Sequence, residues 1–352
     1  MRKLRMGIIG TGGIAQSRHI PAFLQIQHKV ELTAVHDMNQ QLASEVAEKF
    51  GIPYVFENYQ DLFKEVDAVA ICTPNKFHAE ISVAALKAGV HVLCEKPMAI
   101  TTAECERMVK ASREAGKLLL IGYHYRYTEV SQLAKRAVMN NEIGDPLVIR
   151  VQALRRRKVP GWGVFTNKEL QGGGSLIDFG CHMLDLAIWL LGEAEPIELM
   201  GSTYNRLSKS PNQINDWGIF DYAAFEVDDH VSAYITFDNH VSLQFECSWA
   251  ANIKEDKIHL SISGSEGGLN MYPFELYQPK LGKMMESTTE AKHDEAEAGF
   301  IQAENFVDSC LGEAELVVKP EEALKVSKIM EAIYRSSETR SSVKLIEANK
   351  AR

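Results

Sequence analysis

Apolar residues gather in short unbroken runs through the first third of the chain: "KLRMGIIG", "VELTAVHD", "DAVAICT", "VHVLCEK" and "KLLLIGY". Between them lie stretches such as "NKFHAEISVAALKAG", where apolar residues recur at helical spacing. Strands buried on both faces read this way, and their alternation with helices predicts an α/β domain built on a doubly wound parallel sheet. After about residue 123 the rhythm changes to strict alternation, in "HVSAYITFDNHVSLQFECSWA" and then "KIHLSISGSEGGLNMY", with a hairpin turn expected at Asn239. A second, α+β domain with a large, mostly antiparallel open sheet is expected there. An amphipathic helix is expected over "PEEALKVSKIMEAIYRSS", with Pro320 at its first position. The expected division is therefore 1–123 and 124–352, the final helix being able to pack back on the first domain.

Length agrees with two domains, since 352 residues exceed what one core usually organises. The formal net charge of −9 speaks against a nucleic-acid partner. A basic run, Arg155 to Lys158, reads as a solvated strand edge or loop, or as a local anion contact. No apolar window reaches transmembrane length by eye, and Met1 leads into a strand pattern; no membrane association is expected, and a cytoplasmic location is. Six scattered cysteines lack the spacing of a zinc site or a disulfide scaffold, so reduced thiols, no catalytic thiol and no metal are expected.

The first run ends in "GIIGTGGIA", which places Gly10, Gly12 and Ala15 in the spacing G-x-G-x-x-A between a strand and a helix. Backbone N–H groups of Gly10, Thr11, Gly12, Gly13 and Ile14 can then approach a pyrophosphate at the helix N-terminus. The next strand ends at Asp37, where a carboxylate can accept hydrogen bonds from the adenosine ribose. A 2′-phosphate ~4 Å from that carboxylate would be repelled by roughly 4 kcal/mol at intermediate dielectric. NAD is therefore the expected cofactor, with NADP less favoured.

Two further stretches carry chemistry. In "CEKP", residues 94–97, Glu95 and Lys96 stand at the carboxyl end of a strand, either facing the cofactor or simply solvated. In "GGGSLIDFGCHMLDLAIWLLG", residues 172–192, a glycine-rich loop leads into a helix on which Asp178 and His182, four apart, share one face. Burying such a pair is unfavourable by several kcal/mol unless it is satisfied, so the pair is either a structural hydrogen bond or a functional one. Asp185 reads as a structural neighbour.

Together the glycine motif, "CTPNKFH" at 72–78, "EKP" at 95–97, "GYHYRY" at 122–127 and the 172–192 segment resemble the Gfo/Idh/MocA family of oxidoreductases, named after glucose-fructose oxidoreductase, inositol dehydrogenase and a rhizopine-catabolism protein. The resemblance covers nearly the whole chain. It implies an N-terminal Rossmann domain, a C-terminal domain whose open sheet forms an oligomer contact, and a tightly held nicotinamide dinucleotide. It matches Lys96, Asp178 and His182 to the family's catalytic lysine, aspartate and histidine, and Thr73, Pro74, Asn75 and His78 to the segment passing the cofactor. Tyr123, His124, Arg126 and Trp162 are candidates for substrate or nicotinamide contacts. Two departures stand out: Asn239-His240 replaces an Asn-Gly turn, and Arg340 stands where glycine is common.

The activity implied is hydride transfer between NAD and a secondary hydroxyl of a sugar, sugar derivative or cyclitol such as inositol, by a homodimer or homotetramer. Lys96 or His182 would take the hydroxyl proton. Two alternatives remain open at this point. One is a redox-neutral lyase, epimerase or glycoside-cleaving enzyme with transient NAD use; the other is a non-catalytic dinucleotide-binding sensor.

Overall fold

The computed structural model describes residues 3–211 and 213–345. Contacts divide the chain into two compact units, Met1–Thr128 with Asp294–Leu324, and Glu129–His293 with Lys325–Arg352.

In the first unit the apolar runs become β1 (Leu4–Ile9), β2 (Val30–His36), β4 (Ala68–Ile71), β5 (His91–Cys94) and β6 (Leu119–Ile121), joined by the two-residue β3 (Tyr54–Val55). All pair in parallel, in the order β3-β2-β1-β4-β5-β6. The order reverses beside β1, so the carboxyl ends of β1 and β4 form the crevice where this architecture binds ligands. Helix ends are set by local chemistry. Asn39 accepts from Leu42 N–H at the start of Gln40–Phe50, and Thr101 with Glu104 closes a capping box on Thr102–Ala115. The helix Glu295–Leu311 belongs to this unit, tied by Lys29 to Asp308 at 2.6 Å and by Tyr127 to Asn305 at 2.9 Å.

The second unit carries a mixed sheet of β7 (Pro146–Leu154), β8 (Pro196–Tyr204), β9 (His230–Phe237), β10 (Ser242–Ser248), β11 (Lys257–Gly264), β12 (Gly268–Asn270), β13 (Phe274–Lys280), β14 (Lys283–Thr289) and β15 (Val343–Lys344). The order is β14-β13-β12-β11-β7-β10-β9-β8-β15, and only the central β7–β10 pair is parallel among those described. The expected hairpin joins β9 to β10, with His240 at φ +64°. The helix Cys181–Leu191 is buried along almost its whole length, as a core helix is, with the ionisable His182 and Asp185 on it. It starts so close to β10 that a Cβ on Gly180 would lie 2.7 Å from Cys247 Sγ.

The longer segment that ends in this helix also corrects the hydropathy reading. Lys168–Leu191 is long and apolar enough to cross a membrane by length and composition, yet 89% of its most apolar window is buried inside the protein. The final helix runs Pro320–Thr339, with proline at its first position as expected. All six cysteines are free thiols.

Candidate cofactor and catalytic sites

In the first unit the glycine-rich turn follows directly from β1. Gly10 has φ +88°, and a Cβ there would lie 2.8 Å from the Cys72 carbonyl, so the turn and the end of β4 can meet only at glycine. At Gly12 and Gly13 an added Cβ would meet no atom of the described residues within 4 Å beyond its own chain neighbours and helix backbone, and the chain becomes helical from Gly13 onward through Ile14. Close backbone approach to a phosphate is therefore open at both glycines. Asp37, at the end of β2, reaches back to this turn: its Oδ2 accepts from Thr11 N at 2.8 Å and from Thr11 Oγ1 at 3.2 Å. Its Oδ1 accepts from Asn39 N at 2.9 Å. One carboxylate thus braces the glycine-rich turn from the end of β2.

Beyond β4, Pro74 precedes a short helical turn, Asn75–Phe77, with Asn75 buried. Thr73 Oγ1 is buried without a hydrogen-bond partner among the described residues. An orphaned hydroxyl beside Gly10 fits a polar ligand in this crevice. His78 has another task. Fully buried, it sets Nδ1 at 2.8 Å from Pro97 O and Nε2 at 2.9 Å from Thr73 O, tying the segments after β4 and β5 together. Burial lowers its pKa although both carbonyls favour the proton. His78 is therefore a brace inside the unit, not an exposed ligand contact.

Glu95 is buried and accepts from His19 Nε2 at 2.7 Å, with Arg18 at 4.0 Å. Burial alone would push its carboxyl up, but the His19 hydrogen bond and the charges of His19, Arg18 and Lys96 hold it well below the usual carboxylate range. Its Oε2 accepts from the backbone N–H of Lys96 at 3.1 Å, and the Lys96–Pro97 peptide is cis. Tyr123 is fully buried. His124 lies 3.2 Å from Arg18 Nη1, and burial lowers its pKa.

Arg126, expected among substrate contacts, is corrected by its surroundings: it is fully buried, donates to Val317 O at 3.2 Å and forms an ion pair with Glu322. A guanidinium so enclosed and paired anchors the returning segment 294–324 within this unit.

In the second unit the glycine-rich loop is clamped by Asp228. This buried carboxylate accepts from Gly174 N at 2.8 Å, Ser175 Oγ at 2.8 Å, Leu176 N at 3.0 Å and Tyr334 Oη at 2.6 Å. It caps backbone N–H groups that begin the following helix. Side chains at Gly173 and Gly174 are barred, since a Cβ would come 2.0 Å from Tyr334 Oη or from Asp228 O. The helix opens with a π turn, Leu176–Gly180, that carries Asp178, and continues as Cys181–Leu191 with buried His182 in its first turn and buried Asp185 beyond. π turns of this kind are frequent at functional sites.

Asp178 Oδ2 accepts from the indole N–H of Trp249 at 2.9 Å and from Arg155 Nη1 at 3.2 Å. Two donors on one oxygen suit an ionised carboxylate, which accepts and does not donate. Arg155 is itself fixed between two rings, with Cζ 4.3 Å from the Phe179 centroid and 4.6 Å from the Trp217 centroid. Trp162 is 54% exposed.

Trp217, Trp249, Asp228 and Tyr334 were not singled out in the sequence, and Arg155 was, as one end of a run read either as solvated or as a local anion contact; its partner is the Asp178 carboxylate. Further along the basic run, Arg157 donates to Ala250 O and Asn252, and Lys158 pairs with the Asp256 carboxylate. A doublet of aspartates just before β9 was the one visible sign of the Asp228 clamp.

Residues 4–123 match the model of an oxidoreductase family with an NAD-binding Rossmann fold, and residues 135–345 match that family's C-terminal alpha/beta domain. The chain belongs to the Gfo/Idh/MocA family. It is an oxidoreductase whose cofactor is a nicotinamide dinucleotide. Among its relatives, D-glucoside 3-dehydrogenase of Escherichia coli (strain K12) is 35% identical over 348 residues, 97% of each chain. Glucose-6-phosphate 3-dehydrogenase of Bacillus subtilis (strain 168) is 37% identical over 196 residues, 54% of each. Among solved structures of this family, an aldose-aldose oxidoreductase from Caulobacter crescentus complexed with glycerol superposes with TM-score 0.81 at 26% identity, covering 98% of this chain and 100% of the other.

Proposed function

We propose that this Gfo/Idh/MocA oxidoreductase oxidises a secondary hydroxyl of a glucose-type sugar ring with NAD, the hydroxyl at position 3 being the first to test. The observation that carries the reading is Asp178, held by Trp249 and Arg155 at the opening of the helix that bears His182. An anionic acceptor fixed in this way can grip a sugar hydroxyl without taking its proton. The relatives named for D-glucoside and glucose 6-phosphate support position 3.

Gly10 to Ile14, Thr73 and Asp37 would hold the cofactor, with Asp37 favouring NAD. When bound, the nicotinamide supplies a hydride acceptor. His182 removes the hydroxyl proton, Lys96 stabilises the charge developing on that oxygen, and Asp178 orients the neighbouring hydroxyl.

A panel of glucosides, glucose 6-phosphate and inositol with added NAD, read by NADH appearance and by product analysis, tests the reading; no oxidised product from any sugar would contradict it. The aldose-aldose relative favours one second reading, in which NAD is reduced and reoxidised within a cycle. Oxidised product without net NADH would select it. A homo-oligomer joined through the face of the nine-stranded sheet that exposes Met200 and Tyr234 completes the proposal, and sedimentation at micromolar concentration checks it.

A further inference from the structure

Two of the four tryptophans, Trp189 and Trp249, are buried, while Trp162 is 54% and Trp217 37% exposed. The exposed pair is mutual: the ring centroids lie 5.4 Å apart at 48°. Neither indole stands on a helix or strand, yet the loops bearing them are fastened to one another. Asn215 accepts from Val159 N at 2.8 Å and donates back to Val159 O at 2.9 Å, which copies a strand pairing, and Asp216 N donates to Arg157 O at 2.8 Å. Beneath them is an apolar cluster of Val159, Phe225, Val227, Trp249 and Ala250, against which Phe165 and Phe220 pack. Large indoles held open to water on a rigid base are preorganised for a flat ligand.

Their position relative to Asp178 sets the ligand. Arg155 bonds Asp178 Oδ2 at 3.2 Å and lies 4.6 Å from the Trp217 centroid, and Trp217 leads to Trp162 in a further 5.4 Å. A sugar ring held by Asp178 leaves the indoles for the next unit of the same molecule.

We propose that Trp162 and Trp217 form a subsite for the second pyranose ring of a glycoside, so that the preferred substrate is a disaccharide. One face of a pyranose is a patch of C–H groups, which stacks on the electron-rich face of an indole while the hydroxyls at its rim stay in water. The proposal rests on the reading of the enzyme as a sugar oxidoreductase and adds which class of sugar it takes.

The test compares kcat/KM for cellobiose with that for methyl β-D-glucopyranoside, which lacks the second ring. The native enzyme is expected to favour cellobiose. Trp162→Ala should lower the cellobiose-to-methyl-glucoside ratio about tenfold, chiefly through KM, and Trp162→Phe should recover most of it. Calorimetric titration of the NADH-bound protein with cellobiose reads the subsite without turnover. If no sugar is oxidised, the functional reading fails, while weaker cellobiose binding in Trp162→Ala still supports the subsite. An unchanged ratio and unchanged binding in a folded, NAD-binding Trp162→Ala variant would overturn the subsite. So would a native dimer that becomes monomeric in that variant, because the indoles would then serve a second copy of the chain.

Discussion

The indole N–H of Trp249 points at Asp178, 2.9 Å from the carboxylate oxygen that also receives Arg155. Trp249 is fully buried in the core of the second unit, so the aspartate's orientation is set by the packing of β10's extension and not by its own helix alone. Trp249→Phe keeps a ring in that core and removes the donor together with part of the indole's volume. Hydrogen bonds to charged groups contribute roughly 1.5–3 kcal/mol, so kcat/KM for the sugar should fall about tenfold or more with NAD binding retained. Unchanged kcat/KM in the folded variant would show that Asp178 needs no such support.

Asp37 braces Thr11, and the proposed function gives it a second task, opposing a 2′-phosphate. Replacing it with serine and Met38 with arginine should weaken NAD, because the brace is lost, and raise the preference for NADP about tenfold or more. Fluorescence titration with both reduced cofactors measures the ratio. A native protein that already binds NADPH as tightly as NADH would refute the role of Asp37.

His240 and Arg340, the two departures from the family pattern, both adopt left-handed backbone, at φ +64° and +53°. Both side chains are exposed, so glycine removes the steric penalty without loss of packing. His240→Gly and Arg340→Gly should each raise stability by about 1 kcal/mol in urea denaturation. Equal or lower midpoints would show that the flanking strands already absorb the strain.

The strands of the first unit were legible because strands buried on both faces read as continuous apolar runs, and the glycine turn because its spacing is local. β3 was not, being two exposed residues, and neither was β14, whose seven residues are all exposed and carry no alternation. The neighbourhood of Asp178 was unreadable for another reason. Trp249 lies 71 residues away and Arg155 23 residues away, and only the folded sheet brings them together. A basic run also looks the same whether its arginine is solvated or held between Phe179 and Trp217, and Arg126 was misread as a substrate contact on the same ground.

Asp229, next to the Asp228 clamp, is fully buried, and burial pushes its carboxyl up to about 6 against the hydrogen bonds of Ser208. An unfolded aspartate titrates near ~3.9, so between about pH 4 and 6 the unfolded chain releases this proton while the folded one keeps it. Stability therefore falls as pH rises through that window, and the penalty persists above it. Asp229→Asn should flatten the fall, as read by urea denaturation at several pH values. Identical pH profiles for the two proteins would contradict the assignment.

The central claim is that Lys96, Asp178 and His182 carry out NAD-dependent oxidation of a sugar hydroxyl. Its most direct test is steady-state sugar oxidation by Lys96→Met, which loses the charge and keeps most of the side-chain length, measured beside NAD affinity. The account predicts a folded protein that binds NAD nearly as well as the native enzyme and turns over ~10²-fold more slowly or worse. Turnover close to native, with NAD bound, would contradict it.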